Sequence, residues 1–437
     1  MNIDHCNSHS SFIDKVEMSN LCQEITLPTK PLQHIDDTDG EIALCILSAI
    51  NVGKIRDLED LQVLCDLAVR SLDELIDFQG YPVRAAEIAT RARRSLGVGF
   101  IGLAHYLAKH GEHYDDPGAW SLVHDLTEAF QYYLIKATVN LAKEKGACEY
   151  SHRTKYGQGI LPIDTYKKDV DEIVPNELKY DWEGLRAQVL QYGVRNSTLS
   201  AQMPSESSSV VSNATNGIEP PRGYLSIKKS KKGPLKQIVP QYQTLKNNYT
   251  LLWDMPSNRG YIHIVAVMQK FFDQAISGNW SYNPEHYPDN EVPTSVMAQD
   301  LLTTYKYGWK TSYYQNTHDM KNDEVEETRQ SLERGILLYQ TGIDKFLGNT
   351  VIRKLEAVNI STIEELRTKL ALDRSHGLGE WVDMAGLIVP RMEIDELLAG
   401  IENGSVNTLE SLSNSFERIN KSSLKTVFVS YSINFPL

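Results

Sequence analysis

Short apolar runs alternate with amphipathic helical stretches over roughly the first 316 residues, and this alternation restricts the chain to a few architectures. The continuous apolar run at residues 42–50 predicts a buried strand. Periodic stretches predict helices at roughly 56–78, 99–110, 117–145, 180–192, 261–277 and 294–307, the last leading into a strand-like stretch at 309–314. The order of these elements favours a mixed α/β fold.

Net charge and hydropathy argue against two classes of partner. The 437-residue chain has a formal net charge of −13, whereas nucleic-acid binding requires basic surface that displaces counterions from phosphates. Its one basic run, Lys228–Lys236, is predicted to be a solvated hairpin. No stretch reaches the roughly 18 apolar residues of a membrane span, and the N-terminus has no signal-peptide pattern. We therefore expect a cytoplasmic protein that binds neither nucleic acid nor membrane.

Five widely spaced cysteines indicate individually used thiols in a reducing compartment, because an odd number does not form a secreted disulfide framework. Cys65 belongs to a helical apolar stripe and is predicted to be a packing residue. Cys148 follows a long helix without an obvious acid or histidine partner, so a structural role is expected. His5, Cys6 and His9 are ligand types, but a closed zinc site needs four ligands and no second pair follows. We predict no metal in this chain.

Cys22 stands between an amide and a carboxylate. Asn20, Cys22 and Glu24 occupy every second position, so an extended backbone would point all three side chains to one side. A reactive thiol beside a carboxylate base can move hydrogen around a bound polar substrate. On these residues alone, however, solvated loop polars around a packing thiol remain the favoured interpretation.

Further motifs change that interpretation. Tyr313 and Tyr314 form a pair at the end of a short segment, and residues 204–209 form a hydroxyl-rich turn. These motifs and the Cys22 segment closely resemble the large, catalytic subunit of aerobic (class I) ribonucleotide reductase, collinearly from about His5 through Asn316. Further matching stretches lie at residues 4–7, 40–45, 159–168, 195–200 and 213–222.

The resemblance implies a fold and a domain division. In this family the matching region forms the second half of a ten-stranded α/β barrel, with the residue equivalent to Cys22 at the tip of a finger loop threaded through it. We therefore expect the C-terminal half of such a barrel over residues 1–322. Residues 323–437 no longer resemble the family and are predicted to form a small, mainly helical region of unassigned role. Its predicted elements are helices at 363–370, which a capping box opens, and from 392 to 398, and a strand at 426–431.

The resemblance also implies a radical reaction that replaces the ribose 2′-hydroxyl of a ribonucleotide with hydrogen. Cys22 would be oxidised to a thiyl radical that removes the 3′ hydrogen atom. Glu24 would accept the 3′-hydroxyl proton, and Asn20 would hold the substrate hydroxyls. The oxidising equivalent would reach Tyr314 first and pass through Tyr313 to Cys22.

The remaining roles implied by the resemblance concern the substrate diphosphate and the reductant. The residues expected to cradle the diphosphate offer backbone N–H groups and hydroxyls near a helix start, and they are Ser205, Glu206, Ser207 and Ser208. Cys45 matches the family cysteine that reduces the substrate by forming a disulfide. Its family partner lies upstream of the present sequence, and no cysteine follows Cys148 to act as the family's terminal regeneration pair.

The predicted function is therefore that of a component of ribonucleoside-diphosphate reductase, a thioredoxin- or glutaredoxin-dependent oxidoreductase that makes deoxyribonucleotides for DNA synthesis. No cofactor is expected in this chain, because a small subunit with its own metal centre would supply the radical. The expected partners are a ribonucleoside diphosphate, a complementary N-terminal half, that small subunit, and thioredoxin or glutaredoxin. The alternative is a catalytically silent remnant or interaction protein, because reopening an oxidised cysteine pair needs an attacking thiol.

Overall fold

The structure is a computed structural model that describes residues 16, 18–175, 177–230, 233–318, 381–384 and 387–390. Backbone contacts divide the chain into two compact units, residues 1–320 and 321–437. The α-helices, all described in the first unit, are α1 (Asp60–Phe78), α2 (Arg84–Arg93), α3 (Leu103–His110), α4 (Pro117–Lys145), α5 (Pro162–Thr165), α6 (Trp182–Tyr192), α7 (Glu206–Val211), α8 (Tyr242–Leu245), α9 (Arg259–Phe271) and α10 (Thr294–Lys306).

The strands are short and are distributed over both units. In the first unit they are β1 (Ile46–Asn51), β2 (Leu96–Ile101), β3 (Leu225–Ser230), β4 (Gly233–Ile238), β5 (Trp280–Tyr282) and β6 (Gln315–Thr317). The second unit contributes β7 (Trp381–Met384) and β8 (Leu387–Pro390). Short 3₁₀ helices cover Val52–Lys54, Ser151–Arg153, Tyr156–Gln158, Lys168–Glu172, Lys246–Asn248, Leu252–Asp254, Pro284–His286 and Pro288–Asn290.

Parallel backbone segments lie side by side in the first unit. Strands β1 and β2 pair in parallel along their whole lengths. Single parallel bridges then join Val98 to Ser200 and Gln202 to Ile276, which extends the order from β2 to two further segments. Strands β5 and β6 form a separate parallel pair. This arrangement confirms a mixed helix and strand architecture, but the strands described here do not close into a barrel.

Glycines allow β2 to approach its neighbours closely. A Cβ atom added to Gly99 would lie 2.6 Å from the backbone oxygen of Ala201, so no larger residue fits without displacing the next segment. A Cβ atom on Gly97 would lie 3.1 Å from Cys45 Sγ. Gly102 then has a φ of 82°, a conformation that favours glycine, and α3 begins at the next residue.

Two predictions near these segments were wrong. The helix predicted over 99–110 begins only at Leu103, because the glycine-containing apolar run before it pairs as a strand. The helix predicted over 261–277 ends at Phe271, because the following backbone bonds to its parallel neighbour instead, as when Gln274 N donates to Ser200 O. The helices predicted over 117–145 and 294–307 correspond to α4 and α10.

Helix α4 lies at the centre of the core, packed against α1 and α9. An aromatic cluster joins this helix to β2 and to the segment after α9. The ring centroid of Phe100 lies 4.5 Å from that of Phe130 and 5.7 Å from that of Phe272, and all three side chains are buried. Since each buried phenylalanine contributes about 1.5–3 kcal/mol, this cluster fixes β2 against the segment that follows α9.

The remaining predicted elements have different outcomes. The basic run forms the predicted hairpin, because β3 pairs with β4 in antiparallel fashion. In the second unit β7 and β8 form an antiparallel hairpin that was not predicted. The helices predicted at 363–370 and 392–398 and the strand at 426–431 lie outside the described residues. None of the described helices combines the length and the apolar character needed to cross a bilayer.

Candidate active site

Asn20, Cys22 and Glu24 lie on a turn, and the extended backbone expected from their spacing is not observed. Gln23 N donates to Asn20 O at 3.1 Å, and Gln23 has a φ of 66°. Asn20 Oδ1 accepts a hydrogen bond from Ile25 N at 3.0 Å, which closes the turn. The turn still brings the Asn20 side chain into hydrogen-bond contact with the Glu24 carboxyl.

Two distant residues hold this loop in place. Thr26 N donates to Gln274 Oε1 at 3.3 Å, and the donor and acceptor are 248 positions apart in sequence. Thr311 Oγ1 donates to Gln23 O at 2.8 Å across 288 positions. Sequence reasoning did not identify Gln274 or Thr311, because no local pattern marks a contact between residues so far apart.

The Glu24 side chain is buried, with 2% of the residue exposed. Burial raises the pKa of this carboxyl above its ordinary value, and the hydrogen bond from Asn20 acts in the opposite direction. Within the described residues its Oε2 atom has no hydrogen-bond partner. A carboxyl with a raised pKa and an unbonded oxygen is suited to take up and release a proton at a bound substrate.

Tyr313 connects the loop to a second tyrosine. Its hydroxyl donates to Tyr314 Oη at 2.9 Å, and the two ring centroids are 3.9 Å apart. The pKa of Tyr313 is raised, first by the hydrogen bond with Tyr314 and then by one with Cys22. Tyr314 is 55% exposed. The three side chains therefore form a path from the exposed Tyr314 ring to the Cys22 thiol, with a hydrogen bond between the two phenols.

The backbone next to β5 positions this tyrosine pair. Tyr313 N donates to Gly278 O at 2.9 Å, and Tyr314 N donates to Asn279 Oδ1 at the same distance. A Cβ atom on Gly278 would lie 2.6 Å from Trp309 Cζ2, so this close approach requires glycine. Asn279 is a further positioning residue that sequence reasoning missed.

The hydroxyl-rich turn opens α7. Ser205 precedes the helix and is buried, and its Oγ atom donates inward to Met203 O at 2.9 Å. Ser208 Oγ donates to Ser205 O at 3.1 Å. Glu206, Ser207 and Ser208 are exposed in the first turn of the helix. The predicted phosphate-binding residues are therefore adjacent, but the Ser205 hydroxyl is turned away from the exposed side.

Cys45 lies just before β1 and contacts the residue that also holds the loop. Gln274 Nε2 donates to Cys45 Sγ at 3.4 Å. Burial raises the pKa of the Cys45 thiol to about 12, and the hydrogen bond from Gln274 opposes this effect. Among the described cysteines, all four are free thiols. Cys65 and Cys148 are both buried, as their predicted packing and structural roles require.

One group of possible metal ligands occurs among the described residues, on α4, and it was not predicted. It consists of His124, Asp125 and Glu128. Ammonium groups already contact two of these side chains: Lys270 Nζ lies 3.2 Å from His124 Nε2, and Lys179 forms an ion pair with Asp125. Lys179 therefore compensates the charge of the Asp125 carboxylate, and Lys270 Nζ is within hydrogen-bond distance of the His124 ring nitrogen.

Comparison with known families identifies two regions of the chain. Residues 1–315 match the family described as the ribonucleotide reductase barrel domain. Residues 362–430 match a family described only as a domain of unknown function.

Curated relatives carry names that agree with the first match. The chain is 61% identical over 329 residues to "Ribonucleoside-diphosphate reductase subunit alpha" of Haemophilus influenzae, a match that covers 75% of this chain and 44% of the relative. It is 56% identical over 335 residues to "Ribonucleoside-diphosphate reductase 1 subunit alpha" of Escherichia coli, a match that covers 76% of this chain and 44% of that relative. The subunit alpha of Enterobacteria phage T4 is 44% identical over 324 residues, a match that covers 72% of this chain and 42% of that relative. The chain thus spans less than half the length of these relatives.

Proposed function

Because the chain belongs to the ribonucleotide reductase barrel-domain family, we propose that it supplies the thiyl-radical site of a ribonucleoside-diphosphate reductase. The observation that carries this proposal is the path of neighbouring side chains from Tyr314 through Tyr313 to Cys22, in which the two phenol hydroxyls are hydrogen-bonded at 2.9 Å. A phenol can lose a proton and an electron together, so each contact in this path can move a radical equivalent towards the sulfur. In this proposal an incoming hole arrives at exposed Tyr314 and ends at Cys22.

We further propose that the parallel segments of the first unit are the C-terminal half of the family's ten-stranded α/β barrel. Residues 20–26 would be the tip of its finger loop. Two features support this assignment: the parallel order of β1, β2 and the two segments that follow, and the hydrogen bonds from the loop to Gln274 and Thr311. In a complete barrel such a loop would shield a thiyl radical from water and oxidants, whereas Cys22 is half-buried in this chain.

The reaction assigned to the loop begins at the sulfur. The Cys22 thiyl takes the hydrogen atom from the 3′ carbon of the ribose and becomes a thiol. Glu24 accepts the 3′-hydroxyl proton through its carboxylate form, and the unbonded Oε2 atom supports this role. Asn20 contacts Glu24 and holds the substrate hydroxyls. The 2′-hydroxyl then leaves as water with a proton from the Cys45 thiol pair. After reduction of the sugar, Glu24 returns its proton to the 3′ oxygen, and the Cys22 thiol returns its hydrogen atom to the 3′ carbon and becomes a thiyl again.

Cys45 is proposed to supply reducing equivalents for this step. It and a second thiol give up two electrons and two protons and become a disulfide, while the ribose gains hydrogen in place of the 2′-hydroxyl. The second thiol would come from a complementary N-terminal half. Thioredoxin or glutaredoxin would then reduce the disulfide by thiol exchange. A small subunit with its own metal centre would generate the radical.

The exposed first turn of α7 is the proposed diphosphate site. Glu206, Ser207 and Ser208 offer N–H groups there, and Ser205 is buried beside them. In this assignment Ser205 shapes the turn through its bond to Met203 O, and the Ser207 hydroxyl meets the phosphate oxygens, while the Ser208 hydroxyl does so once it releases Ser205 O.

The domain and cellular assignments complete the proposal. Residues 1–322 are assigned to the reductase barrel, and residues 323–437 to a separate region without an assigned role. The proposed cycle needs reduced thiols, so we place it in the cytoplasm.

Reconstitution tests this function. The full chain is co-expressed with the N-terminal half of the Escherichia coli relative and mixed with that enzyme's small subunit, a ribonucleoside diphosphate and dithiothreitol. We expect deoxyribonucleotide formation that the Cys22→Ser variant abolishes. No product from the complemented wild-type chain, or equal product from Cys22→Ser, would contradict the proposal.

A further inference from the structure

Gln274 contacts both functional parts of the proposed site through one side-chain amide. It is fully buried in the segment after α9. The two hydrogens on its Nε2 atom are shared among three acceptors, Leu96 O at 2.7 Å, Thr198 Oγ1 at 3.1 Å and Cys45 Sγ at 3.4 Å. Its Oε1 atom accepts from Thr26 N, at the end of the loop that carries Cys22 and Glu24, at 3.3 Å. The two ends of this amide therefore join the cysteine to the loop.

The chemistry of its partners fixes the orientation of this amide. A backbone carbonyl such as Leu96 O can only accept a hydrogen bond, and a backbone N–H such as Thr26 N can only donate one. Exchanging the nitrogen and oxygen of Gln274 would place like groups against each other at both ends. The Cys45 sulfur must therefore face the N–H group.

We infer that Gln274 is a positioning residue for the redox cysteine, holding Cys45 Sγ and the backbone of the Cys22 loop in fixed relation through the two ends of its amide. The inference rests on the role of Cys45 in the proposed function. The neighbouring backbone reinforces the same arrangement, since Ala275 N donates to Glu24 O at 3.1 Å and Gln274 N donates to Ser200 O at 3.0 Å. The main chain of residue 274 is thus held in place independently of its side-chain contacts.

An N–H group aimed at sulfur favours the thiolate, which is the reactive form in thiol exchange. The surroundings of Cys45 otherwise favour the thiol: burial is the largest influence, and the charges of Asp273 and Glu24 add to it. Among the described residues, Gln274 makes the one interaction that acts against burial and both carboxyls at this sulfur. Removing the N–H donor should therefore make Cys45 less reactive, whereas merely loosening the structure should make it more reactive.

Two variants separate the two ends of the amide. Gln274→Met removes both the donor and the acceptor at similar length. Gln274→Glu keeps an oxygen acceptor for Thr26 N but replaces the N–H donor beside Cys45 with an acidic group. Asn258→Leu is the matched control, because Asn258 is also a buried amide with one donated and one accepted hydrogen bond, to Asp300 Oδ2 at 2.9 Å and from Ser281 N at 2.8 Å, and neither partner contacts Cys45 among the described residues.

The experiment uses the full chain and needs no catalytic turnover. Iodoacetamide labelling is followed between about pH 7 and pH 9.5, and peptide mapping gives separate rates for Cys45 and Cys148. Hydrogen exchange of the peptide that contains Thr26 is measured on the same proteins. We expect labelling of Cys45 to slow about tenfold at each pH in both Gln274 variants, since a hydrogen bond to a charged group has roughly that effect. Cys148 labelling should not change.

The exchange data add a second readout. The Thr26 amide should exchange faster in Gln274→Met and remain protected in Gln274→Glu, and Asn258→Leu should match wild type at Cys45 and at Thr26. Unchanged labelling of Cys45 in both variants, or faster labelling of Cys45 together with Cys148, would overturn the inference. If Gln274→Met shows no cooperative thermal transition, the near-isosteric Gln274→Glu variant decides. Failure here is distinguishable from failure of the proposed function, which the reconstitution assay measures separately.

Discussion

The hydroxyl of Tyr313 donates a hydrogen bond to the hydroxyl of Tyr314 at 2.9 Å, although the two residues are adjacent in sequence. Successive side chains of a regular strand point to opposite faces, so this contact requires the backbone to leave the strand conformation. Accordingly, β6 begins only at Gln315, after the stretch at 309–314 that the sequence suggested would be strand-like. The departure from regular pairing is what brings the two rings together.

Tyr313→Phe should interrupt the path to Cys22, because phenylalanine has no hydroxyl proton to lose. We expect product formation in the reconstituted enzyme to fall by on the order of 100-fold or more, comparable to the loss of a proton-transferring group. Tyr132→Phe, in the other adjacent tyrosine pair, is the control. Its ring packs 4.8 Å from that of Tyr180, and we expect normal activity from it. Full activity in Tyr313→Phe would show that the path is not used.

Thr311→Val should loosen the Cys22 loop while leaving the rest of the first unit intact. The change keeps the side-chain shape but removes the donor to Gln23 O, a bond that contributes about 1 kcal/mol. We expect faster hydrogen exchange in residues 20–26 and about tenfold less product, because the reacting groups are less well positioned. Thr303→Val is the control, since that exposed hydroxyl bonds only within α10, to Gln299 O. Equal hydrogen exchange of residues 20–26 in both variants would argue against a role for the Thr311 hydrogen bond in holding this loop.

Ser207→Ala tests the proposed diphosphate site. Loss of one hydroxyl that binds phosphate equally in the ground and transition states should raise KM by about fivefold and leave kcat nearly unchanged. Ser121→Ala is the matched control, because Ser121 Oγ bonds to Pro117 O near the start of α4. Steady-state kinetics of the reconstituted enzyme give both constants. A fall in kcat with constant KM would place Ser207 in the chemical step instead.

Gly99→Ala should destabilise the first unit. The added Cβ would lie 2.6 Å from a backbone oxygen, which cannot rotate away as a side chain can. We expect the free energy of unfolding to fall by about 1–3 kcal/mol, the usual range for overpacking. Gly80→Ala has no atom within 4 Å of its new Cβ and should stay within about 0.5 kcal/mol of wild type. Chemical denaturation compares the two, and equal stabilities would contradict the close approach.

Asp273 should make stability depend on pH. Burial raises its pKa to about 6, against hydrogen bonds from Ser200 N, Tyr156 Oη and Leu199 N. An unfolded aspartate has a pKa of about 3.9, so the folded state favours the protonated form. The stability contributed by Asp273 is therefore complete below about pH 4 and is lost as the pH rises through about 6.

The Asp273→Asn variant isolates this effect, since asparagine does not titrate. The free energy of unfolding of wild type minus that of Asp273→Asn should decrease between about pH 4 and pH 6 and then level off. Urea denaturation at several pH values measures it. A difference that increases with pH would mean that hydrogen bonding outweighs burial at this carboxyl.

Local patterns in the sequence predicted the elements whose causes are local. The apolar periodicity of residues 117–145 specified α4, and the polar, basic composition around Lys228 specified a hairpin. The strand at Leu96–Ile101 was missed because Gly97 and Gly99 interrupt its apolar run. Gly97 and Gly99 make room for their close neighbours Leu47 and Ala201, which only the folded structure brings near.

The candidate active site shows the same difference between local and long-range causes. The spacing of Asn20, Cys22 and Glu24 suggested one side of an extended segment, and the family resemblance implied a shared role for them, but the backbone forms a turn at Gln23. The residues that hold this turn could not be predicted, since Gln274 lies 248 positions from its loop partner. Spacing along the chain can identify reactive groups, whereas their placement depends on long-range hydrogen bonds.

The most direct test of the central claim, that the Cys22 sulfur removes the 3′ hydrogen atom, is an isotope competition. The reconstituted enzyme receives a mixture of ordinary and 3′-deuterated ribonucleoside diphosphate, and the isotope ratio of the remaining substrate is followed during turnover. We expect the remaining substrate to become enriched in deuterium, because cleavage of the heavier bond is slower, and we expect no turnover with Cys22→Ser. Turnover with a constant isotope ratio, or turnover by Cys22→Ser, would contradict the account.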